Sequence, residues 1–209
     1  MSGAERLAGN GVALVRERTV AGNVQAALER VYRLDRVADV GDFVCGTADG
    51  GRETLLVKEA DDGALEVRVT LPRLEDDATL DGVCQIIEGV SHFVYLVERA
   101  RSGRTATQLE LEVQAEVDKW LVVASAIRGF DVARSAALRT RLFERVAYAH
   151  AATSEEGERY RVANDAAHAF VRRLERRYVH EARFGEMRVE LRRFFHEGQQ
   201  EKLRLARAA

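Results

Sequence analysis

Strict alternation of apolar and polar residues marks one stretch of the chain, 65–71, and predicts a β-strand there. Pro72, which cannot donate a backbone hydrogen bond to a sheet, ends the run. Two further apolar runs, 43–46 and 53–59, precede it, and turn sequences rich in aspartate and glycine separate all three. Because tight turns connect antiparallel neighbours, we expect a small three-stranded antiparallel sheet covered by helices.

Outside this sheet the apolar residues recur at intervals of three and four, which predicts helices. Near the N-terminus the pattern indicates a short strand over 12–15 and a helix over 24–34. After residue 79 we expect helices alone. Their predicted ranges are 80–101, 107–129, 131–152 and 153–183, followed by a last helix that ends near 207 and is interrupted at Gly198.

The second helix of this series depends on one local motif. Residues 109–117 alternate like a strand, but Thr107 and Glu110 form the threonine-x-x-glutamate pattern of a helix capping box. The residue types that dominate this stretch also favour helix. Thr153 and Glu156 repeat the capping pattern and predict the start of the fourth helix.

The predicted fold class is therefore α+β and mainly α, with a small antiparallel sheet covered by helices and then a helical bundle. We place the boundary between an α+β region, 1–104, and a helical bundle region, 105–209. Apolar residues make up 46% of the chain and charged residues 32%, which is an ordinary globular balance.

Localisation is predicted from what the sequence lacks. No uncharged apolar run approaches the roughly 20 residues of a membrane-spanning helix, and no signal-peptide pattern begins the chain. Cys45 and Cys84 cannot form a disulfide framework, and both lie among apolar residues, so we expect them to be buried. We therefore expect a cytoplasmic protein without a membrane partner.

Glu88 and His92 are the first candidate site. They are four residues apart on the polar face of the helix over 80–101 and are therefore neighbours. A carboxylate beside an imidazole can bind a metal ion or share a proton. The alternative is a solvated polar face with a weak ion pair. On the same helix, Gly82 and Gly89 predict the close approach of another helix.

Glu112 and Glu116 are the second candidate site, and they are predicted catalytic residues. Together with Lys119 they form a narrow polar stripe on a helix that is apolar on two sides and so predicted to be sandwiched. Two close, partly buried carboxylates repel each other and raise a pKa, as acid–base catalysis or a dimetal site requires. The alternative is an intrahelical pair between Glu116 and Lys119.

His150 is the third candidate. It lies in the middle of the apolar face of the helix predicted over 131–152. A buried imidazole needs partners, so it either completes a site with Glu112 or Glu116 or is bonded structurally. A position in a fraying last turn of that helix is a further alternative.

Arginines in the C-terminal half are the fourth candidate. Residues 128–209 hold 18 basic and 12 acidic side chains, whereas residues 1–127 hold 14 and 22. Arg172 and Arg176 are the cations chosen as candidate phosphate contacts in nucleic-acid binding. The overall pI near 6.3 is unlike that of a dedicated nucleic-acid domain. In the alternative, the arginines pair with nearby glutamates, which are Glu158, Glu175, Glu181, Glu186 and Glu190.

Three functions are open at this point. The sequence lacks the common motifs of phosphate cradles, dinucleotide sites, zinc proteases and serine hydrolases. This absence favours a non-catalytic protein-binding or scaffold protein, with a protein partner or self-association, over an enzyme. The second hypothesis is a helical-bundle metal-dependent or acid–base enzyme that uses Glu112, Glu116 and His150. The third is nucleic-acid binding, and the sequence identifies no cofactor.

Overall fold

The computed structural model describes residues 14–36, 38–46, 53–59, 65–74 and 79–208. The predicted α+β, mainly α fold class is confirmed. The elements are, in chain order, α1 (Val15–Tyr32), a 3-10 turn (Val40–Asp42), β1 (Val44–Gly46), β2 (Thr54–Glu59), β3 (Leu65–Leu71), α2 (Leu80–Arg101), α3 (Gln108–Ala126), α4 (Val132–Arg139), a π-helical turn (Thr140–Glu144), α5 (Glu155–Leu174), a second π-helical turn (Glu175–Val179), α6 (Phe184–His196) and α7 (Gln199–Arg207).

The sheet is mixed, with strand order β1-β3-β2. β2 is antiparallel to β3, and Val57 lies opposite Val67, whereas β1 is parallel to β3, and Val44 lies opposite Val69. The prediction of a wholly antiparallel sheet is therefore wrong. Turn sequences specify that the chain reverses, and it does reverse from strand to strand. They do not specify adjacency, and β3 lies between β1 and β2.

α2 lies across the sheet at close range. Val69 and Leu71 are fully buried, and a Cβ atom on Gly89 would come 3.0 Å from Leu71 Cδ2 and 3.4 Å from Val69 Cγ1. A Cβ atom on Gly82 would come 3.4 Å from Leu74 Cδ2. The two glycines therefore allow the close approach of the sheet and the residues after it, and not of another helix as predicted.

α3 is the central helix and packs between α2 and α5. Its predicted capping box is confirmed, since Thr107 Oγ1 accepts from the Glu110 backbone and the Glu110 carboxylate accepts from the Thr107 backbone. Val117 and Trp120 are fully buried, as a sandwiched helix requires. The described apolar core runs without a break across both predicted regions, and their boundary stays a prediction.

Within the described part of the chain, α2 is the one helix long and apolar enough, by length and composition, to cross a membrane. More than half of its most apolar window is buried inside the protein, and it carries the buried side chains of Glu88 and Arg99. The core helix of a protein that never enters a membrane passes the same test, so this property is weak support for a membrane span.

A buried polar network ties α1, α2 and α3 to α7. The Asp118 carboxylate accepts hydrogen bonds from Tyr32, from Ser91 at 2.6 Å and from Gln114 at 3.0 Å. Lys202, which is 1% exposed, donates to Gln114 Oε1 at 2.6 Å and to a backbone carbonyl of α6 at 2.7 Å. Since its groups satisfy one another, this network holds the helices together.

The helix predicted over 131–152 is wrong after Glu144. α4 ends at Arg139, the π-helical turn continues to Glu144, and residues 145–153 form neither helix nor strand. α5 is then capped by Ser154, which accepts from the backbone of Gly157, so the predicted second capping box is also wrong. The interruption predicted at Gly198 is confirmed.

Two predictions near the N-terminus need correction. α1 begins at Val15, well before the predicted range 24–34, and the strand predicted over 12–15 is wrong at this residue. Residues 12 and 13 lie outside the described part of the chain. Cys84 is buried as expected, but Cys45 is exposed.

Candidate metal centre

α2 and α3 pack together and so bring two predicted sites into one. Glu88 and His92 of α2 and Glu112 of α3 are only 4, 8 and 8% exposed. Glu116, one turn further along α3, keeps 16% of its side chain exposed. The solvated polar face considered for α2 is therefore wrong at Glu88 and His92, because neighbouring elements cover these two residues.

His92 has one ring nitrogen without a hydrogen-bond partner. Its ring hydrogen-bonds the backbone of Leu111, but Nε2 has no such partner among the described residues and lies 3.7 Å from Glu112 Oε2. Burial lowers the pKa of His92, so the ring is neutral near pH 7. The backbone contact places the proton on Nδ1 and leaves the Nε2 lone pair facing the carboxylates.

Three ligand atoms converge at this point. One atom each from Glu88, His92 and Glu112 lie within 4.8 Å of one another. Ligands bound at about 2.1 Å from a transition metal are separated by roughly 3 to 4 Å, so small side-chain movements would place all three on one ion. An imidazole with carboxylates suits ions such as Zn²⁺, Mn²⁺ and Fe²⁺.

The electrostatics of this cluster favour an added cation. Burial, and next to it the Glu88 carboxylate, raises the pKa of Glu112 to about 8. Burial also opposes the ionisation of Glu88, but the Lys119 ammonium, together with His92 and a hydrogen bond from Glu53, outweighs burial and lowers the pKa of Glu88. Glu112 therefore holds a proton at neutral pH, and a divalent ion would displace it.

Lys119 links the two helices through the same cluster. Its Nζ lies 3.1 Å from Glu88 Oε2 and 2.6 Å from Glu116 Oε1. The predicted pair between Glu116 and Lys119 is thus confirmed, while the contact with Glu88 crosses from one helix to the other. Glu88 is consequently shared between the ammonium and the candidate metal position.

Sequence reasoning missed Glu53 altogether. This residue immediately precedes β2, and its side chain hydrogen-bonds Glu88. Its local pattern is that of an ordinary strand residue, and only the packing of β2 on α2 brings it to the cluster. Arg159 of α5 is a second missed neighbour, whose charge acts on Glu112.

A cleft of about 340 Å³ opens beside the cluster. Its wall includes Glu88, Glu116 and Lys119. Burial raises the pKa of the Cys84 thiol, also in this wall, to about 11, so the thiol is protonated at neutral pH. The other lining residues are Leu80, Asp81, Arg141, Leu142, Arg145, Val146, Ala147, Tyr148, Ala149, His150 and Tyr160.

His150 lies at this cleft, but not as predicted. It is exposed, belongs to the irregular stretch 145–153 and stacks on Tyr160 with ring centroids 5.5 Å apart. Among the described residues no hydrogen bond or ion pair joins it to Glu112 or Glu116. The prediction fails because the π-helical turn ends the helix before His150, which removes it from the apolar face.

Gly157 fixes the path of that irregular stretch. A Cβ atom at this position would lie 1.8 Å from the Ala151 carbonyl oxygen, far inside any allowed contact. The first turn of α5 and the stretch that carries Tyr148 and His150 therefore lie against each other only because residue 157 has no side chain.

Ion pairs engage only a minority of the arginines in the described part of the C-terminal half, and none of them involves Glu158. Arg172 and Arg176 are exposed on α5 and on the π-helical turn that follows it. Arg173, by contrast, is buried and lies 2.6 Å from Glu190. Pairing is also confirmed for Glu175, Glu181 and Glu186.

Comparison of the chain with protein-family models, with curated proteins and with solved structures finds no match.

Proposed function

We propose that this protein is a metal-dependent enzyme in which Glu88, His92 and Glu112 hold a divalent transition-metal ion beside the cleft. The observation that carries the proposal is His92 Nε2, a buried atom that has no hydrogen-bond partner among the described residues and faces two carboxylates. An unsatisfied buried polar atom costs about 1–3 kcal/mol. A cation bound there would remove that cost.

Charge balance supports the same ion. A divalent ion would displace the proton of Glu112, so that its two positive charges would meet two carboxylates and a neutral imidazole. When bound, the ion would supply Lewis-acid chemistry or an activated water to a molecule in the cleft. Glu116, held by Lys119 in the cleft wall at 2.6 Å, is the carboxylate positioned to exchange a proton with that molecule.

The buried Nε2 atom of His92 favours the metal hypothesis over the scaffold and nucleic-acid hypotheses. The scaffold and nucleic-acid hypotheses need only exposed surfaces, and neither accounts for an imidazole lone pair buried against carboxylates. They stay predictions, as do the protein partner and the self-association.

Metal titration of chelator-treated protein tests the proposal. We expect Mn²⁺ or Zn²⁺ to bind with a stoichiometry of about one by calorimetry, and Co²⁺ to give visible absorption bands typical of imidazole and carboxylate ligands. His92→Gln and Glu112→Gln should weaken binding by more than the roughly 10–100-fold that outer partners of a metal contribute.

Asp81→Asn provides the matched control. Asp81 is an exposed carboxylate on the same helix and lines the same cleft, so its loss should leave metal affinity nearly unchanged. Circular dichroism establishes that all three variants are folded. Equal metal affinity in wild type, His92→Gln and Glu112→Gln, or no binding by the wild type, contradicts the proposal.

A further inference from the structure

Arginines near the end of α4 are in two different situations. Arg139, at the end of α4, is fully engaged: it lies 2.8 Å from Glu175 and 2.7 Å from Glu144. Arg141 and Arg145 follow within six residues and line the cleft. Neither has a hydrogen bond or ion pair within the described ranges of the chain, so their guanidinium donors face solvent at the cleft.

The acidic residues of the cleft do not supply acceptors for them. Glu88 and Glu116 are both bound by Lys119. Asp81 accepts a hydrogen bond from Gln85 at 2.8 Å on its own helix. The cleft thus has a floor where carboxylates and an ammonium offset each other, and a rim with two cations that lack a counter-charge among the described residues.

Backbone geometry places one of these cations. Arg141 and Leu142 belong to the π-helical turn after α4, and both line the cleft. A π-helical turn widens the helix and redirects its side chains, and such turns are frequent at functional sites. Without it, α4 would continue as a regular helix and these side chains would point elsewhere.

Shape and wall composition indicate a small ligand with a planar part. A volume of about 340 Å³ is at the lower end of small-molecule sites. The aromatic rings of Tyr160 and His150, stacked with an interplanar angle of 5°, form one wall together with Tyr148. Flat apolar groups pack well on such a wall.

We infer that the cleft binds a small molecule through an oxyanion, a carboxylate or phosphate group held by Arg141 and Arg145, and that this anion is the substrate class of the adjacent metal centre. The second part rests on the proposed function. Arginine offers paired donors that match both oxyanions. Since Glu88 belongs to both the cluster and the cleft wall, a metal ion held there would attract the same anion.

Because the metal ion and the anion attract each other, their binding affinities should be coupled. Each ligand should tighten the binding of the other, and by the same factor, because coupling between two binding sites is reciprocal. A bare anion site far from the metal would show no such coupling beyond the screening length of the buffer.

The experiment uses full-length protein and three probes: phenyl phosphate, malonate and the uncharged benzyl alcohol. Binding is measured by calorimetry with chelator and again with saturating Mn²⁺. Arg141→Gln and Arg145→Gln should each weaken phenyl phosphate or malonate by about tenfold or more, since a charged hydrogen bond is lost. Arg172→Gln, an exposed arginine on α5, is the matched control and should have no effect.

The outcomes separate this inference from the proposed function. Arginine-dependent binding of either anion that Mn²⁺ tightens supports it. Mn²⁺ binding without arginine-dependent anion binding overturns the inference and leaves the metal centre standing. Arginine-dependent binding without any effect of Mn²⁺ overturns the assignment of the anion as substrate. If benzyl alcohol binds as tightly as phenyl phosphate and malonate, recognition of the ligand by its charge is overturned.

Discussion

Lys119→Met tests the central cluster most directly. The ammonium offsets two carboxylates, and the side chains of Lys119, Glu88 and Glu116 are only 12, 6 and 16% exposed. Breaking a buried ion pair by removing one partner costs about 3–5 kcal/mol. Because Glu116 retains some solvent contact, we expect the free energy of unfolding to fall by about 3 kcal/mol in chelator near pH 8.

The size of this defect should depend on pH with a defined sign. Without the ammonium, the pKa of Glu88 in the folded protein should rise above that of the unfolded chain, and the pKa of Glu116, which burial already raises, should rise further. A carboxyl group with a raised folded pKa loses stability as the pH increases through that range. The variant should therefore approach wild-type stability near pH 5.5 and depart from it near pH 8.

Metal ions should rescue the variant more than the wild type. An ion present at 100 times its dissociation constant adds about 2.7 kcal/mol to the stability of any protein that binds it. Lys119 contacts Glu88, a candidate ligand, at 3.1 Å, so its removal frees that ligand and takes away a repelling charge. A tenfold gain in Mn²⁺ affinity corresponds to about 1.4 kcal/mol of additional stabilisation.

Lys202→Met is the matched control. Lys202 is buried more deeply than Lys119, but its hydrogen-bond acceptors are the neutral oxygens of Gln114 and of a backbone carbonyl. Its replacement should leave the stabilisation by Mn²⁺ unchanged. Urea unfolding followed by circular dichroism at each pH, with chelator or Mn²⁺, measures all three proteins. Equal stabilisation of the three by Mn²⁺ would refute the placement of the ion beside Glu88.

Three further predictions concern the fold and use urea unfolding as the assay. Gly89→Ala should destabilise the protein by about 1–3 kcal/mol, because the new methyl group overpacks against the sheet. Gly22→Ala in α1, where no atom lies within 4 Å of the new methyl group, should stabilise the protein by about 0.5–1 kcal/mol. If Gly22→Ala proves less stable than Gly89→Ala, the packing of α2 on the sheet is contradicted. Burial is the main cause that raises the pKa of Asp118 to about 6. The free energy of unfolding should therefore fall as the pH rises from about 4 to about 6, and Asp118→Asn should flatten that part of the pH profile. Ser154→Ala removes the cap of α5 and should cost about 1 kcal/mol, with no loss expected if the helix began at another residue.

Local sequence patterns are sufficient to predict features that lie within a single helix. The bounds of α2 follow from its periodicity, and the capping box of Thr107 and Glu110 correctly identifies α3 as a helix despite its strand-like alternation. The proximity of Glu88 to His92, and the ion pair of Glu116 with Lys119, follow from helical spacing. These interactions lie within single helices, and a sequence reports such spacing directly.

Contacts between elements could not be predicted in this way. The approach of Glu53 to Glu88 requires the packing of β2 on α2, and the position of β3 at the centre of the sheet is set by tertiary contacts. His150 was misplaced because regular helical periodicity was extended through a π-helical turn. A widened turn depends on what the surrounding structure accommodates, and the apolar pattern carries no mark of it.

The missing side chain at Gly157 constrains how the cleft can change. Because the Ala151 carbonyl occupies the space that a Cβ atom at position 157 would need, the main chain can follow this path over α5 only when residue 157 is glycine. Drift in the neighbouring positions can replace Tyr148 or His150 and so alter what enters the cleft. Substitutions at the rim can thus change which ligands the cleft accepts, while the backbone path around the cleft stays the same as long as residue 157 is glycine.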